Sequence, residues 1–417
     1  MAMVSRISRA ATAASSASVQ SALAGAGILV GSYDLGAISV AFDPLEKQWH
    51  LSSAVVATLG TATLVGMLAG SLVAGLLADR FGRRRLLVAD VALFVVASAA
   101  AALAPDFVVL AAARLATGAA IGVDFAVVFP FVAETVQKAR RGRAMAWIMW
   151  AANVGTLAAY GTGAVCLQVS PTNGWRVALG VGGLLALPVF CLRGRLDESK
   201  AWGASRLPSL GSIARSTAKQ ARRARLPASA AATLLYQMGD QGLGLVLPLL
   251  LAGVLAASAS SGAASAAAVK AVTIPAATLT VVAIERIGGR RLQIVGFAGR
   301  AVAFGLLGTL LVVLGRVDPF IVGVLLAAGY FFGAAGPDKT TVIIPAEAAP
   351  SDVRCSSQGV SQASGRLGGI LGVTGYGILA GVGGPGAGLL LFAVAALIGA
   401  VISAQGLPGA TPAAESA

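Results

Sequence analysis

Gly75-Leu76-Leu77-Ala78-Asp79-Arg80-Phe81-Gly82-Arg83-Arg84-Arg85-Leu86 lies between two long apolar stretches, and Ile284-Glu285-Arg286-Ile287-Gly288-Gly289-Arg290-Arg291 lies between two others. Each turn holds an acid, an arginine beside it, a glycine three residues on and further arginines. Asp79 and Glu285 stand 285 − 79 = 206 residues apart, close to half of the 417-residue chain. A short charged turn between apolar segments, repeated at half-chain distance, predicts two similar halves.

Apolar residues make up 57% of the chain and charged residues 12%. One soluble core of this length could not hide so much apolar side chain, so the bilayer is the expected solvent. The apolar runs are continuous rather than alternating, which predicts membrane helices and not a barrel. Abundant Ala and Gly suit close helix packing. A soluble enzyme is excluded on hydropathy, so the chain is read as a non-enzyme. The net charge of +14 comes from basic residues clustered between apolar runs. That is the pattern of cytoplasmic loops, not of a nucleic-acid surface. Cys166, Cys191 and Cys355 are widely separated and lie in or beside apolar runs, and His50 is the only histidine. No metal site or cofactor is expected. There is no Gly-x-x-x-x-Gly-Lys-Ser/Thr loop to cradle a nucleotide.

Counting runs of roughly 20 apolar residues gives twelve spans, starting near residues 20, 52, 86, 107, 144, 175, 228, 266, 292, 318, 357 and 387. Arg6 and Arg9 precede the first run, which continues to about Phe42. It is too long for a signal core and is read as an uncleaved span. The loops at 79–85, 137–143, 193–226, 285–291 and 350–356 hold most of the Lys and Arg. The positive-inside rule makes them and both termini cytoplasmic, in a multi-pass protein of the cell membrane. The expected division is a six-helix bundle over 1–192, a linker over 193–227 with interfacial helices, and a second six-helix bundle over 228–417. The lipid bilayer and a small-molecule substrate with protons are the expected partners, and one copy suffices.

Other acids repeat as well. Asp34 and Asp240 are 206 residues apart, Glu134 and Glu347 are 213 apart, and Asp124 and Asp338 are 214 apart. Charges inside spans are costly and normally face a cavity or a partner. Asp34 lies mid-span in Gly31-Ser32-Tyr33-Asp34-Leu35, and Arg114 opens Arg114-Leu115-Ala116-Thr117-Gly118. Arg366, with its planar fork, suits phosphate or carboxylate. Arg300, about eight residues into span nine, reads as a snorkelling cation. Asp90 reads as the counter-charge of Arg83–Arg85.

The turns at Asp79 and Glu285 resemble the loops joining spans two and three, and eight and nine, of the major facilitator superfamily. Glu134 with Arg140, Arg141 and Arg143, and Pro345-Ala346-Glu347 with Arg354, resemble the signature shared by its sugar-porter and phosphate-porter branches. The run Phe331 to Glu347, the run Cys355 to Gly369 and Gly122-Val123-Asp124-Phe125 look like spans ten, eleven and four of phosphate:proton symporters. The resemblance implies an all-α fold of two pseudo-symmetric six-helix bundles. It implies a secondary transporter working by alternating access, a proton-coupled symporter of inorganic phosphate or an organic acid. A sugar or polyol:proton symporter is the alternative, and a non-transporting receptor of the same fold a remote one.

The resemblance also assigns roles. Asp34, Arg114 and Asp124 are the proton-coupling set. Tyr236, Asp240, Asp338, Arg366, Asn153 and Gln237 are the substrate set. Asp79, Arg80, Gly82, Arg83, Glu134, Arg143, Glu285, Arg286, Glu347 and Arg354 are latches that hold one conformation. Several family positions differ here: Phe125 replaces a tyrosine, Ala152 a glutamine, Tyr236 a tryptophan, Gly244 and Ala277 tyrosines, Asp338 an asparagine and Arg366 a lysine. The charged frame persists while the neutral hydrogen-bonding groups are depleted.

Overall fold

The computed structural model describes residues 2–199, 202, 209–223, 226–255 and 258–407. Among them there is no strand, as the unbroken apolar runs require. The helices are α1 (Ala2–Trp49), α2 (Ser53–Phe81), α3 (Arg83–Ala102), α4 (Phe107–Thr135), α5 (Arg141–Val169) and α6 (Gly174–Arg193), followed by α7 (Leu210–Arg223). After α7 come α8 (Leu226–Leu255), α9 (Ala259–Ala271), α10 (Thr273–Ile287), α11 (Gly289–Leu314), α12 (Pro319–Ala335), α13 (Pro337–Ala348) and α14 (Arg354–Gly406).

Ten of the described helical segments are long and apolar enough to cross a membrane. They include the continuous pair α9–α10 and the pair α12–α13, each of which serves as one span with a break inside it. α14 has 53 residues. That is about 80 Å of helix, more than twice the hydrocarbon thickness. It bends back at Gly383 and at Gly384 (φ 74°, ψ 176°), just before Pro385, and so forms spans eleven and twelve. With α5, 29 residues long, the expected twelve spans are present. The multi-pass membrane architecture is all-helical.

Two details show that the halves share one geometry. Gly82 caps α2 at φ 100° and Gly288 caps α10 at φ 84°. Both angles lie in the left-handed region, where a side chain is strained. Each glycine comes three residues after the acid of its turn, so turn geometry explains the duplicated acid-to-glycine spacing. The second detail is a close helix approach. Gly155 of α5 packs on the backbone oxygen of Leu29 in α1, and Gly368 of α14 packs on that of Leu234 in α8. A Cβ at either position would overlap the facing backbone. Small residues here let helix backbones touch, the packing that membrane helices favour.

α7 is amphipathic, with Ile213 and Thr217 buried one turn apart on one face. Lys200, Arg206 and Arg225 of the expected linker lie outside the described residues. Arg193 does not belong to that linker. It is the last residue of α6 and has no exposed surface.

Candidate functional site

A cavity lies where spans of both halves face each other. Its walls include Asn153, Tyr160, Tyr236, Gln237, Asp240 and Asp338. It is small, about 70 Å³. Contacts between the halves lie at both ends. At one end Tyr160 Oη donates to the Gly244 carbonyl at 2.9 Å, and Gly60 packs on Leu245. At the other end α2 meets the start of α14, with Gly75 against the backbone of Cys355 and Ser356.

Asp34 and Arg114 meet as a two-pronged ion pair. Arg114 Nη1 donates to Asp34 Oδ1 at 2.9 Å and Arg114 Nη2 stands 2.7 Å from Asp34 Oδ2. The third arm, Arg114 Nε, donates to Thr63 Oγ1 at 3.1 Å. Both side chains are at most 1% exposed. Such a buried pair persists only because each charge compensates the other, and removing one partner strands its mate.

Asp124 is not part of this pair. Arg193 Nη2 donates to Asp124 Oδ1 at 2.6 Å, and Arg193 Nη1 donates to Asp90 Oδ1 at 3.0 Å. The remaining guanidinium contacts go to the carbonyls of Leu87 and Ala24. Asp90 is therefore the partner of Arg193 and not the counter-charge of Arg83–Arg85. It is 3% exposed and sits two turns into α3, too deep to meet that cluster.

Around the cavity the cations outnumber the acids. Asp240 is flanked by Lys270 Nζ at 3.6 Å and Arg300 Nη1 at 3.7 Å. Asp338 is held by Lys339 Nζ at 2.5 Å and accepts from Asn153 Nδ2 at 3.0 Å. Arg300 does not snorkel. It is 1% exposed and lies over the rings of Tyr236 and Phe304, each at 5.0 Å, because the carboxylate of Asp240 and three aromatic faces attract it inward. Arg366 has no exposed surface, and none of its three guanidinium nitrogens has a hydrogen-bond partner. Its guanidinium rests 4.6 Å from the ring of Phe125, which lines the cavity. Neither Asp240 nor Asp338 bridges to it. Gln237 is buried at the same wall, with its Oε1 unpartnered.

The residues expected to form latches fall into a tight group and a loose one. The Asp79 carboxylate caps α14: it accepts from Cys355 N at 3.2 Å, from Ser356 N at 2.8 Å and from Ser356 Oγ at 2.7 Å. A carboxylate at a helix N-terminus also meets the positive end of the helix dipole. Arg83 stands 3.2 Å from Asp79, donates to Glu134 at 2.9 Å and reaches the Ser351 carbonyl at 2.9 Å. Arg354 reaches Glu134 across the halves at 3.3 Å. The duplicated group is open. Glu285 and Arg143 are 3.9 Å apart and partly exposed, Glu347 and Arg286 are exposed, and Arg80 and Arg286 form no ion pair among the described residues. Arg80 instead lies over Phe81.

Arg141, not Arg143, is the geometric counterpart of Arg354. Arg141 Nε donates to the Val136 carbonyl and Arg354 Nε to the Ala349 carbonyl, each five residues back and each at 2.9 Å. Three residues that hydrogen-bond to the tight group escaped the sequence reading. Glu198 accepts from the backbone nitrogens of Arg83 and Arg84, Ser199 Oγ donates to Glu134, and Ser356 donates to Asp79. Glu198 lies against Gly82, which suggests its signal: an acid placed to cap α3, whose own N-cap is a glycine without a side chain.

Two family models cover nearly the whole chain between them. The Major Facilitator Superfamily model matches residues 24–230, and the Sugar (and other) transporter model matches residues 215–408. The chain belongs to the major facilitator superfamily. Solved superfamily structures share its fold. The proton:xylose symporter XylE, bound to 6-bromo-6-deoxy-D-glucose, superposes with a TM-score of 0.78 at 19% identity, over 95% of this chain and 97% of that one. A partially occluded inward-open form of the E. coli xylose transporter XylE gives 0.76 at 18% identity, over 94% and 99%.

Among curated superfamily relatives, the putative niacin/nicotinamide transporter NiaP of Bacillus subtilis (strain 168) is 31% identical over 42% of this chain and 44% of its own. The D-xylose transporter of Levilactobacillus brevis is 32% identical over 42% and 40%. The 3-(3-hydroxy-phenyl)propionate transporter of Escherichia coli (strain K12) is 31% identical over 38% and 38%. The chain thus spans under half the length of these relatives.

Proposed function

We propose that the protein is a proton-coupled symporter of a small anion, an organic acid or inorganic phosphate, working by alternating access as a single copy in the cell membrane. The observation that carries this reading is Arg366: a guanidinium with no exposed surface and no acceptor on any of its three nitrogens. A buried cation without a partner is a large expense unless a ligand completes it. A neutral sugar would leave that charge uncompensated. The amide groups a sugar would use are few. Asn153 already spends its amide nitrogen on the Met149 carbonyl and Asp338. By name, one of the three relatives above carries niacin or nicotinamide, one a phenylpropionate and one xylose.

In this reading the two six-span bundles rock about the cavity, with most of 193–227 as their connection. The arginine-rich turns and both termini face the cytoplasm. Asp34 and Arg114 couple the proton. A proton on Asp34 removes the charge that holds Arg114, so the pair opens only when loaded. Asp124, with Asp90 and Arg193, is a second proton site, because two carboxyls there share one cation. Asp79, Arg83, Glu134 and Arg354 hold the cytoplasmic ends of the halves together, and they must part for inward release. Asp240, Asp338, Tyr236, Gln237 and Asn153 line the cavity behind which Arg366 stands.

A thermal-shift panel on the purified protein tests the substrate class, because a ligand stabilises the state that binds it. Phosphate or carboxylates are expected to raise the melting temperature while xylose leaves it unchanged. Stabilisation by xylose alone would replace this reading with the sugar one.

A further inference from the structure

The charges around the cavity do not balance. Among the described residues, Asp240 and Asp338 are the two carboxylates at its wall. Four cations stand on or directly behind that wall: Lys270 and Arg300 beside Asp240, Lys339 beside Asp338, and Arg366 behind Phe125. The neighbouring Asp34 and Arg114 neutralise each other in their own pair. The cavity is left with two positive charges in excess.

Hydrogen bonding points the same way. Arg300 Nη1 and Nη2 and all three nitrogens of Arg366 are buried and lack an acceptor. Five guanidinium nitrogens thus wait behind side chains that line one cavity, Phe125 in front of Arg366 and Tyr236, Tyr330 and Asp240 in front of Arg300. Aromatic faces hold these cations in place meanwhile. Arg366 lies over Phe125, Arg300 over Tyr236, Phe304 and Tyr330, and Lys270 Nζ stands 3.8 Å from the centre of the Tyr330 ring. A ring attracts a desolvated cation but leaves its N–H groups unsatisfied. A small acceptor-rich anion would satisfy them by charge-assisted hydrogen bonds.

We infer that the substrate carries two negative charges, one met by Arg366 and the other by Lys270 and Arg300, so that the filled cavity is neutral. A dicarboxylate or a fully ionised phosphate or sulfate ester has this chemistry. A monocarboxylate leaves one cation unmet. This inference rests on the anion-symporter reading and narrows it.

Calorimetric titration of the full-length protein tests it. The probes are succinate, its monomethyl ester and its dimethyl ester, which keep one carbon frame and carry two, one and no charges, together with sulfate, nicotinate and xylose. Succinate or sulfate is expected to bind at least about tenfold more tightly than the monoanions, a difference of about 1.4 kcal/mol. Arg366→Gln brings that ratio close to one. It also raises the melting temperature of the ligand-free protein, because it removes an unpaired buried charge; a merely structural arginine would lower it. Arg366→Lys keeps part of the preference, since a lysine keeps the charge and loses the fork. Equal affinity for monoanions and dianions would overturn the two-charge inference and leave the anion reading standing. Binding of xylose with no anion bound would remove both. Failure of both succinate and sulfate to bind, or a lower melting temperature in ligand-free Arg366→Gln, would also overturn the inference.

Discussion

Asp34→Asn is expected to abolish uphill accumulation while leaving exchange of substrate intact. A gradient of one pH unit stores about 1.4 kcal/mol per proton, enough for about tenfold accumulation of a substrate that moves with one proton. In proteoliposomes under such a gradient, the variant's accumulation ratio falls from about ten to one. The physical cause is the two-pronged contact of Asp34 with Arg114, sealed at no more than 1% exposure. Asn mimics the protonated acid, so Arg114 is released whether or not a proton has arrived. The carrier can then cycle, but nothing ties its cycle to the gradient. Measured counterflow separates this outcome from a dead protein. A variant that still concentrates substrate under the imposed gradient would show that coupling resides elsewhere, with Asp90, Asp124 and Arg193 the next place to test.

Asp79→Asn is expected to open the contact between α2 and α14. The carboxylate accepts three hydrogen bonds from Cys355 and Ser356 and stands 3.2 Å from Arg83. Hydrogen bonds to a charged group contribute about 1.5–3 kcal/mol each. Losing the charge and one strong acceptor moves the balance between states by roughly 2 kcal/mol, a factor of about 30 in population. The chain carries its own probe, because Cys355 is fully buried at this contact. With Cys166 and Cys191 replaced by serine, maleimide labelling of Cys355 should accelerate about thirtyfold in Asp79→Asn. An unchanged labelling rate would mean that Asp79 is a local helix cap and not part of a latch.

Much of the fold was legible because hydropathy and turn chemistry are local. Twelve apolar runs gave twelve spans, and the acid-to-glycine spacing reflected a left-handed turn that only glycine takes easily. The repeat also placed the acids, since Asp34 and Asp240, and Asp124 and Asp338, keep nearly one offset. Their partners were not legible, because the repeat does not conserve them. Asp34 pairs with α4, whereas Asp240 faces Lys270 of α9 and Arg300 of α11. Asp124 pairs with the end of α6, whereas Asp338 pairs with its own neighbour, Lys339.

Nearness in sequence misled twice. Asp90 lies close to Arg83–Arg85 along the chain, but α3 carries it to a depth where Arg193 is the nearest cation. Arg300 reads as close enough to the start of its span to reach the surface, but it sits near the middle of α11, where the aromatic rings of α8, α11 and α12 hold it. Arg366 was recognisable as a costly intramembrane cation. That none of the acids among the described residues pairs with it could be seen only once its neighbours were in place.

The most direct measurement of the central claim is made with a pH electrode. Protein in lightly buffered proteoliposomes, with no gradient imposed, receives sulfate, succinate, nicotinate, phosphate or xylose from outside. A proton-coupled anion symporter draws protons in with its substrate. At least one anion should therefore make the outer medium more alkaline, the signal should vanish in Asp34→Asn, and xylose should give none. Alkalinisation by xylose alone, or none by any anion, would contradict the account.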